Sequence, residues 1–291
     1  MPESTQALLE RARSLLPELE IEHVQRNEEG LINDVLIVNR QWVFRFAKTE
    51  AYARILQDEL KILDLIRPRL GVRVPDPLVR QAGCMVYPLL SGQTLSLKTV
   101  RAFSRPAQRR IAVQLGAFLY QLHSTPLAGL DWELPASRAP VRRQDWLELQ
   151  AQANLRIAPL LQAYQLEWLA DLFDGVLKDP LADRYQPALI HGDLASYHLL
   201  LDKVGQNLNG VIDFGMAGLG DPASDIGGLI NIYGETFVQK MKPTYPGLEA
   251  FLPRARFYAQ LWEIEWVLRG LESGESFWFT GHLGNARDIS I

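Results

Sequence analysis

The chain is poor in cysteine and has no long apolar run. Its 291 residues include one cysteine, Cys84. A single thiol cannot form a disulfide within the chain, which is typical of proteins in a reducing compartment. No uninterrupted apolar stretch approaches the length of a membrane span, and the amino-terminal residues lack the basic start and apolar run of a signal peptide. These absences predict a cytoplasmic protein that has no membrane partner.

The sequence also lacks an excess of cationic side chains. It contains 30 Lys and Arg residues against 34 Asp and Glu residues, which gives a formal net charge of −4. A general nucleic-acid binder would show a basic face, so this balance argues against a nucleic-acid partner and is compatible with a cationic small-molecule substrate. The hydrophobic share of 47% and the charged share of 22% are ordinary for a globular protein that buries a core.

The most informative residues are two aspartates that each follow an apolar run. Asp193 lies in the segment 191–198, which reads HGDLASYH, and Asp213 begins the tripeptide Asp-Phe-Gly. The apolar residues at 199–201 and 210–212 predict a β-hairpin between the two motifs. An aspartate, a polar residue shortly after it and then Asp-Phe-Gly form the order of a kinase-type phosphoryl-transfer site. The polar residue here is His198.

The spacing of apolar residues predicts an α+β protein. Helical spacing occurs at 4–16 and 49–66, and strand patterns occur at 21–25, 35–38, 42–46 and 84–90. A tight turn is expected at 39–41, between two of these strands. Beyond residue 92 the apolar residues recur mainly at helical spacing. The sequence therefore predicts a small mixed sheet with one packed helix, followed by a larger and mainly helical part.

The order of these motifs along the whole chain resembles that of the aminoglycoside phosphotransferase family. The similarity is strongest over residues 189–228, from His-Gly-Asp to the element Gly-Asp-Pro-x-x-Asp at 220–225. His198 and the carboxyl-terminal residues 283–291 are similar to those of the 2″-phosphotransferases. The resemblance implies a bilobal protein-kinase-like fold and phosphate transfer to an alcohol group. It also implies a nucleotide-binding lobe over residues 1–90 and a catalytic, substrate-binding helical lobe over 91–291.

Chemistry and resemblance together suggest roles for the motif residues. Asp193 is the candidate catalytic residue, which would accept a hydrogen bond from the substrate hydroxyl and orient its oxygen towards the γ-phosphorus. Asp213 is a hard oxygen ligand suited to Mg²⁺ on the nucleotide phosphates. His198 is the second candidate metal residue, but magnesium prefers oxygen. Either His198 ligates the metal directly, or it binds Asp213 or a metal-bound water.

The amino-terminal part must supply a cation for the phosphates of GTP or ATP. Arg45 is the candidate because it lies within an apolar strand, where a charged side chain needs a partner. Glu59 on the following helix would be that partner, as in the lysine–glutamate pair of kinases, and Lys48 is the alternative cation. No Gly-x-Gly-x-x-Gly loop is present, and residues 29–34 occupy the corresponding place.

Residues 84–90 resemble the hinge between the lobes of the family. The family pattern places Tyr87 at the back of the purine pocket and Leu89 among the purine contacts. A bulky ring at Tyr87 would obstruct the deep adenine position and favour GTP as donor. The alternative is that Tyr87 only packs at the junction of the lobes.

The substrate implied by the resemblance is an aminoglycoside, whose ammonium groups require convergent carboxylates. The candidate acids are Asp145, Glu148, Glu235, Glu263 and Glu265, of which the resemblance favours Glu235 and Glu265. Trp262 or Trp266 would stack on a sugar ring. A macrolide, another hydroxylated natural product or a sugar-like metabolite remains an alternative acceptor. The enzyme is expected to be a monomer or a homodimer.

Two other functions compete with a small-molecule kinase. A protein kinase is disfavoured because the motif at 191–193 lacks the arginine that contacts a phosphorylated activation loop, and because little chain separates Asp213 from Asp225. A non-catalytic binding protein with a kinase fold is disfavoured because it has no chemical need for both Asp193 and Asp213.

Overall fold

The computed structural model describes residues 3–27, 32–180, 182–202, 204–205 and 207–273. These residues form two compact units. The first comprises the described residues of Met1–Thr94, Asp131–Pro135 and His198–Gly215, and the second those of Leu95–Leu130, Ala136–Tyr197 and Met216–Ile291. The assignment of nucleotide binding to residues 1–90 and of catalysis to 91–291 stays a prediction.

The first unit is built on a five-stranded sheet with two helices. The helices are α1 (Thr5–Leu15) and α2 (Glu50–Ile66), which begin where the side chains of Ser4 and Thr49 accept hydrogen bonds from backbone N–H groups. The strands are β1 (Val24–Asn27), β2 (Asn33–Val38), β3 (Trp42–Ala47), β4 (Val79–Gln81) and β5 (Cys84–Pro88), in the order β1-β2-β3-β5-β4. The predicted helices, strands and turn at 39–41 are therefore confirmed within a few residues.

All neighbouring strands of this sheet run antiparallel, so the expectation of a mixed sheet was wrong in this detail. The physical reason lies in the connections. The turn at 39–41 links β2 to β3 and another short turn links β4 to β5, and short turns join only antiparallel neighbours. Asn39 and Arg40 adopt positive φ angles of 53° and 54°, as a two-residue hairpin turn requires.

The two faces of the sheet bury different clusters. Phe44 and Phe46 of β3 pack with α1, whereas Val43 packs with α2. Because side chains alternate along a strand, Arg45 shares the face of Val43 and is directed to α2. The register of the sheet pairs Val43 with Tyr87 and Arg45 with Met85, which places all four residues on that face.

A second, three-stranded sheet completes the first unit. It consists of β6 (Gln93–Thr94), β8 (Leu199–Leu201) and β9 (Leu208–Val211) in the order β6-β8-β9. The hairpin predicted between the two aspartate motifs is therefore confirmed. β8 and β9 pair antiparallel with Leu199 opposite Val211, so the residues just outside the hairpin, His198 and Ile212, are neighbours as well.

The second unit is mainly helical, as expected. Its helices are α3 (Leu97–Ala102), α4 (Arg105–His123), α5 (Arg143–Arg156), α6 (Ala163–Leu177), α7 (Pro222–Tyr233), α8 (Glu235–Val238) and α9 (Leu248–Ser273), with β7 (Ala188–Ile190) paired to β10 (Gly218–Gly220). The apolar stripe of α4 is fully buried, as its spacing predicted. Helix α7 packs closely on α9, since a Cβ at Gly227 would lie 2.8 Å from the carbonyl oxygen of Ala255.

Among the described residues, no helix is both long and apolar enough to cross a bilayer. Two sequence features lie outside the described residues. They are residues 29–31 of the segment that replaces a glycine-rich loop, and the carboxyl-terminal residues 283–291.

Candidate active site

Backbone hydrogen bonds hold the segment that carries Asp193. This segment follows β7, and the N–H groups of His191 and Gly192 both donate to the buried carboxylate of Asp225, at 2.8 and 2.9 Å. Gly192 has a φ of 78°, and a Cβ there would lie 2.7 Å from the carbonyl oxygen of Met216. Only glycine fits this position, because both the left-handed backbone and the close approach exclude a side chain.

Asp193 is half-buried in the second unit. Its backbone N–H donates to Nδ1 of His191 at 3.2 Å, and its carbonyl oxygen accepts from the N–H of Ala195 at 2.9 Å. His191 is fully buried. The local turn therefore fixes the backbone on both sides of Asp193.

Asp221 and Asp225 have contacts that support the fold. Asp221 caps α7 by accepting from the N–H of Ala223 at 3.0 Å, and Arg254 of α9 donates to it at 2.7 Å. Burial alone raises the pKa of Asp225, but hydrogen bonds from His123 and His191 outweigh burial and hold that pKa below its usual value. Asp225 is therefore a carboxylate, as an acceptor of two backbone N–H groups must be.

The β8–β9 hairpin brings His198 and Asp213 together in the first unit. Nε2 of His198 lies 3.5 Å from Oδ2 of Asp213, and the N–H of Ile212 donates to the carbonyl oxygen of His198 at 3.0 Å. Asp213 has a φ of 66°, an uncommon left-handed conformation for a residue with a side chain. Its carboxylate is 44% exposed. Strain of this kind at an accessible carboxylate is frequent at functional sites.

The charged side chains of Glu59, Arg45 and Asp213 lie next to one another and link α2, β3 and the end of the hairpin; we call them the charge chain. Nη1 of Arg45 donates to Oε1 of Glu59 at 2.7 Å, and Nη2 of Arg45 lies 3.6 Å from Oδ1 of Asp213. Burial alone lowers the pKa of Arg45, but the carboxylates of Glu59 and Asp213 outweigh burial and raise that pKa. The pair predicted from the sequence is thus formed, whereas Lys48 lies exposed after β3.

The carboxylate of Asp213 and the imidazole of His198 are the candidate metal ligands. No group of three or more His, Cys, Asp and Glu side chains in the described part of the chain is arranged to hold a metal ion. Mg²⁺ on nucleotides is commonly held by one or two carboxylates, with phosphate and water oxygens as the remaining ligands. The accessible carboxylate of Asp213 fits that limited role, with His198 beside it.

Tyr87 and Leu89 belong to the apolar cluster on the α2 face of the sheet. Tyr87 is 7% exposed and packs with Leu56 and Leu200, among other residues. Burial raises the pKa of its hydroxyl to about 12, and a side-chain hydrogen bond connects it to Arg45. The backbone N–H of Leu89 donates to the carbonyl oxygen of Gln41 at 2.7 Å. The hydroxyl of Tyr87 therefore contacts Arg45 of the charge chain, which the sequence did not indicate.

The acids predicted to bind the substrate have different surroundings. Glu235 accepts two hydrogen bonds from Arg256, at 2.7 and 2.8 Å, and these hold the pKa of Glu235 below its usual value. Glu263 accepts from the side-chain amide of Asn231. Asp145 accepts from the backbone N–H of Arg142 at the start of α5. The partner of Glu235 lies on another helix, so no spacing in the sequence could have revealed it.

Glu265 and Trp262 lie on α9 near the Asp193 segment. Burial raises the pKa of Glu265 to about 7. The positive charge of Arg269 opposes this rise, and the negative charge of Asp193 adds to it. Trp262 stacks on Trp266 with ring centroids 6.0 Å apart. Both rings line a cavity of about 270 Å³ within the second unit, together with Leu194, Ala195, Tyr197 and Ile232. The predicted tryptophans and the residues that directly follow Asp193 therefore line the same cavity.

Glu148 and the remaining residues of this cavity complete the substrate candidates. Glu148 lies on the exposed surface of α5, where it accepts from Gln144 at 2.9 Å. Of the described residues that line the cavity, none is acidic, and Asn231 is among its few polar groups. Ser196 and Tyr197 were not predicted as site residues, although their position after Asp193 could have indicated them.

The chain is similar to known phosphotransferases. The family model APH, described as the phosphotransferase enzyme family, matches residues 23–261. The GDP and kanamycin complex of APH(2″)-IIIa is 26% identical, with a TM-score of 0.81 over 95% of this chain and 96% of that chain. A macrolide 2′-phosphotransferase type I is 24% identical, with a TM-score of 0.70 over 98% of both chains, which shows the fold alone.

A curated relative, YcbJ of Bacillus subtilis strain 168, is 24% identical over 241 residues, which cover 77% of this chain and 75% of the relative. The family model matches well over half of the chain, and the sheet and helices agree with the kinase-like α+β fold implied by the sequence. The chain belongs to the phosphotransferase enzyme family and is an enzyme that transfers phosphate to a hydroxyl group of a small molecule.

Proposed function

We propose that the enzyme transfers the γ-phosphate of GTP or ATP to a hydroxyl group of an aminoglycoside, which would confer resistance to the antibiotic. The observation that carries the proposal is the charge chain of Glu59, Arg45 and Asp213, with His198 beside Asp213. Such a chain would supply a fixed cation for nucleotide phosphates and an accessible carboxylate for their metal. The similarity to an enzyme solved with GDP and kanamycin supports both substrates.

Asp193 is the proposed catalytic residue. Phosphoryl transfer has a loose transition state, so a carboxylate contributes mainly by orienting the attacking hydroxyl. The backbone around Asp193 is held by Asp225 and His191. A fixed backbone keeps the carboxylate in one orientation and lowers the entropic cost of alignment.

Asp213, His198 and Arg45 are proposed to hold the donor. Mg²⁺ bound there would neutralise charge on the phosphate oxygens. Asp213 supplies carboxylate oxygens, and His198 orients that carboxylate from 3.5 Å. Glu59 holds Arg45 through Nη1, and Nη2 of Arg45, on the side of Asp213, would be the donor to a phosphate oxygen. The single cysteine supports a cytoplasmic location, where nucleotides are plentiful.

The choice between GTP and ATP is proposed to depend on the ring of Tyr87. If the ring limits the depth of the purine pocket, wild-type enzyme will have a higher kcat/KM with GTP than with ATP. Tyr87→Ala should raise the ratio of kcat/KM with ATP to kcat/KM with GTP. Its kcat/KM with GTP should stay within about one order of magnitude of the wild-type value. Steady-state kinetics with both nucleotides measure this.

Tyr87→Phe is the matched control, because it keeps the ring and removes only the hydroxyl that contacts Arg45. Its ATP-to-GTP ratio should equal that of the wild type. An unchanged ratio in Tyr87→Ala would mean that the ring serves only core packing. A ratio that changes equally in both variants would assign the effect to the hydroxyl.

Glu265, Glu235 and Trp262 are the proposed acceptor-binding residues. Glu265 has a pKa of about 7, so its carboxylate is progressively protonated as the pH falls through neutrality. The KM for kanamycin should therefore rise roughly tenfold between about pH 8 and pH 6. The KM for the nucleotide should stay constant over this range. Initial-rate kinetics across pH provide the measurement.

Two variants separate Glu265 from other titrating groups, including the amines of the antibiotic. Glu265→Gln should lose the inflection near neutral pH, because the amide does not titrate. Glu235→Gln should keep the inflection, because Arg256 holds the pKa of Glu235 below its usual value. An inflection that persists in Glu265→Gln would remove Glu265 from acceptor binding.

A less cationic acceptor, such as a macrolide or another hydroxylated natural product, is the second candidate. The observation that favours it is the cavity beside Asp193, which is lined by stacked indoles and by no acidic residue among those described. In addition, Glu235 is already paired with Arg256, so an ammonium group would have to compete for it.

The function is tested with a panel of aminoglycosides, macrolides and sugar-like metabolites. Purified enzyme is incubated with GTP or ATP and Mg²⁺, and release of nucleoside diphosphate is measured for each compound. The proposal predicts the highest kcat/KM for an aminoglycoside. Preference for a macrolide would select the second candidate, and no acceleration by any compound would contradict both.

A further inference from the structure

A buried side chain outside the sequence motifs contacts the aspartate that holds the catalytic segment. Oδ2 of Asp225 accepts from Nε2 of His123 at 3.0 Å, in addition to the N–H group of His191. His123 is the last residue of α4, and only 4% of its side chain is exposed. Asp225 therefore receives hydrogen bonds from α4 and from the segment between β7 and Asp193.

The other ring nitrogen of His123 is held as well. Nδ1 of His123 lies 2.7 Å from the hydroxyl of Tyr245, which is 3% exposed in the turn before α9. Burial raises the pKa of Tyr245, so the hydroxyl keeps its proton and can donate it to Nδ1. Asp225 is a carboxylate and only accepts, so Nε2 of His123 must donate. The tautomer of His123 with its proton on Nε2 therefore satisfies both hydrogen bonds, to Asp225 and to Tyr245.

We propose that His123 and Tyr245 are positioning residues, which hold the backbone of the Asp193 segment through Asp225. The row runs from Tyr245 through His123 and Asp225 to the N–H groups of His191 and Gly192. It joins α4, α7 and the turn before α9 to the two residues that precede Asp193. This inference requires phosphotransferase activity but does not depend on which acceptor is used.

The geometry gives the row a specific consequence for turnover. Asp225 can present its two oxygens to the N–H groups of His191 and Gly192 only if its side-chain rotation is fixed, and the hydrogen bond from His123 restrains that rotation. Without the Tyr245 hydroxyl, the imidazole loses the hydrogen bond at Nδ1 that helps to fix its orientation and tautomer. A displacement of about 1 Å at a reacting group is sufficient to reduce turnover by up to about 10²-fold.

Tyr245→Phe is the variant that tests the row, because it keeps the ring and its packing and removes one hydroxyl. The first readout is hydrogen exchange of the backbone amides of His191 and Gly192, which should accelerate about tenfold or more. The second is kcat, which should fall about tenfold with the best acceptor of the panel. The KM for the nucleotide should change less than about twofold, since the residues proposed to hold it belong to the first unit.

Thr244→Val is the matched control. The Thr244 hydroxyl donates to the carbonyl oxygen of Val113 at 2.7 Å, so it also joins the turn before α9 to α4 but lies outside the row. This variant should lose thermal stability to a similar degree without accelerating exchange at His191 and Gly192 and without lowering kcat. Equal acceleration in both variants would assign the effect to general loosening and overturn the proposal.

A second pair of variants tests whether a side chain that can hydrogen-bond Asp225 restores the turnover lost with His123. His123→Leu removes both bonds, whereas the amide of His123→Gln can reach Asp225 in place of Nε2. We expect His123→Gln to regain at least about half of the loss in log kcat that His123→Leu suffers. If Tyr245→Phe leaves exchange and kcat unchanged, or if His123→Gln is no better than a folded His123→Leu, the row has no positioning role.

Discussion

Replacement of Asp193 by asparagine is expected to lower kcat by about 10²-fold or more. The amide keeps the shape of the side chain but loses the charge that orients and accepts from the attacking hydroxyl. The backbone should stay in place, because Asp225 and His191 bind its N–H groups without involving the carboxylate of Asp193. Nucleotide affinity should change little, since Asp193 is proposed to act on the acceptor. Steady-state kinetics and nucleotide titration provide the two measurements.

Glu249→Gln is the control for a carboxylate-to-amide change, because Glu249 is exposed at the start of α9, where it pairs with Lys242. Its turnover should remain within about twofold of wild type. If Asp193→Asn turns over at a near wild-type rate on the best acceptor, Asp193 is not the catalytic residue. A parallel loss of nucleotide affinity would instead assign Asp193 to the donor.

Asp213→Ala is expected to abolish magnesium-dependent nucleotide binding. The Kd for GTP with Mg²⁺ should rise by at least about 10²-fold, because charge stabilisation by a metal ion is worth several kcal/mol. His198→Ala should weaken binding only in part, since imidazole is a poor ligand for magnesium and His198 contacts Asp213 from 3.5 Å. Calorimetry with and without Mg²⁺ separates the metal-dependent part.

Asp202→Ala is the matched control in the same hairpin. Asp202 accepts from the side chain of Asn207 at 2.8 Å, at the opposite end of β8 from His198. Its loss should leave metal-dependent binding within about twofold. Equal and complete loss of binding in Asp213→Ala and His198→Ala would identify His198 as a full ligand. Unchanged binding in Asp213→Ala would move the metal elsewhere.

The sequence predicted well those features that depend on local pattern and on short connections. The two apolar runs after His198 and before Asp213 can form only a short hairpin, and its antiparallel register places these residues side by side. The Arg45–Glu59 pair was also predictable, because a charge within an apolar strand needs a partner on the helix that follows. In both cases few residues separate the partners.

Hydrogen bonds between side chains on elements far apart in the sequence could not be predicted. Glu235 looked like an available carboxylate, but Arg256 of another helix binds it with two hydrogen bonds. Likewise, nothing in the apolar stripe of α4 indicated that His123 would meet Asp225 and Tyr245. Such contacts depend on how helices pack, and neither propensity nor spacing encodes them.

We propose that Asp193 is the carboxylate that orients the acceptor hydroxyl when this enzyme transfers phosphate from a nucleotide. The most direct measurement is mass spectrometry of the acceptor together with the nucleoside diphosphate formed, for wild type and Asp193→Asn. We predict one phosphoryl group on the acceptor for each diphosphate released by the wild type, and a small fraction of that product with Asp193→Asn. Diphosphate release that leaves every compound of the panel unmodified would contradict the claim.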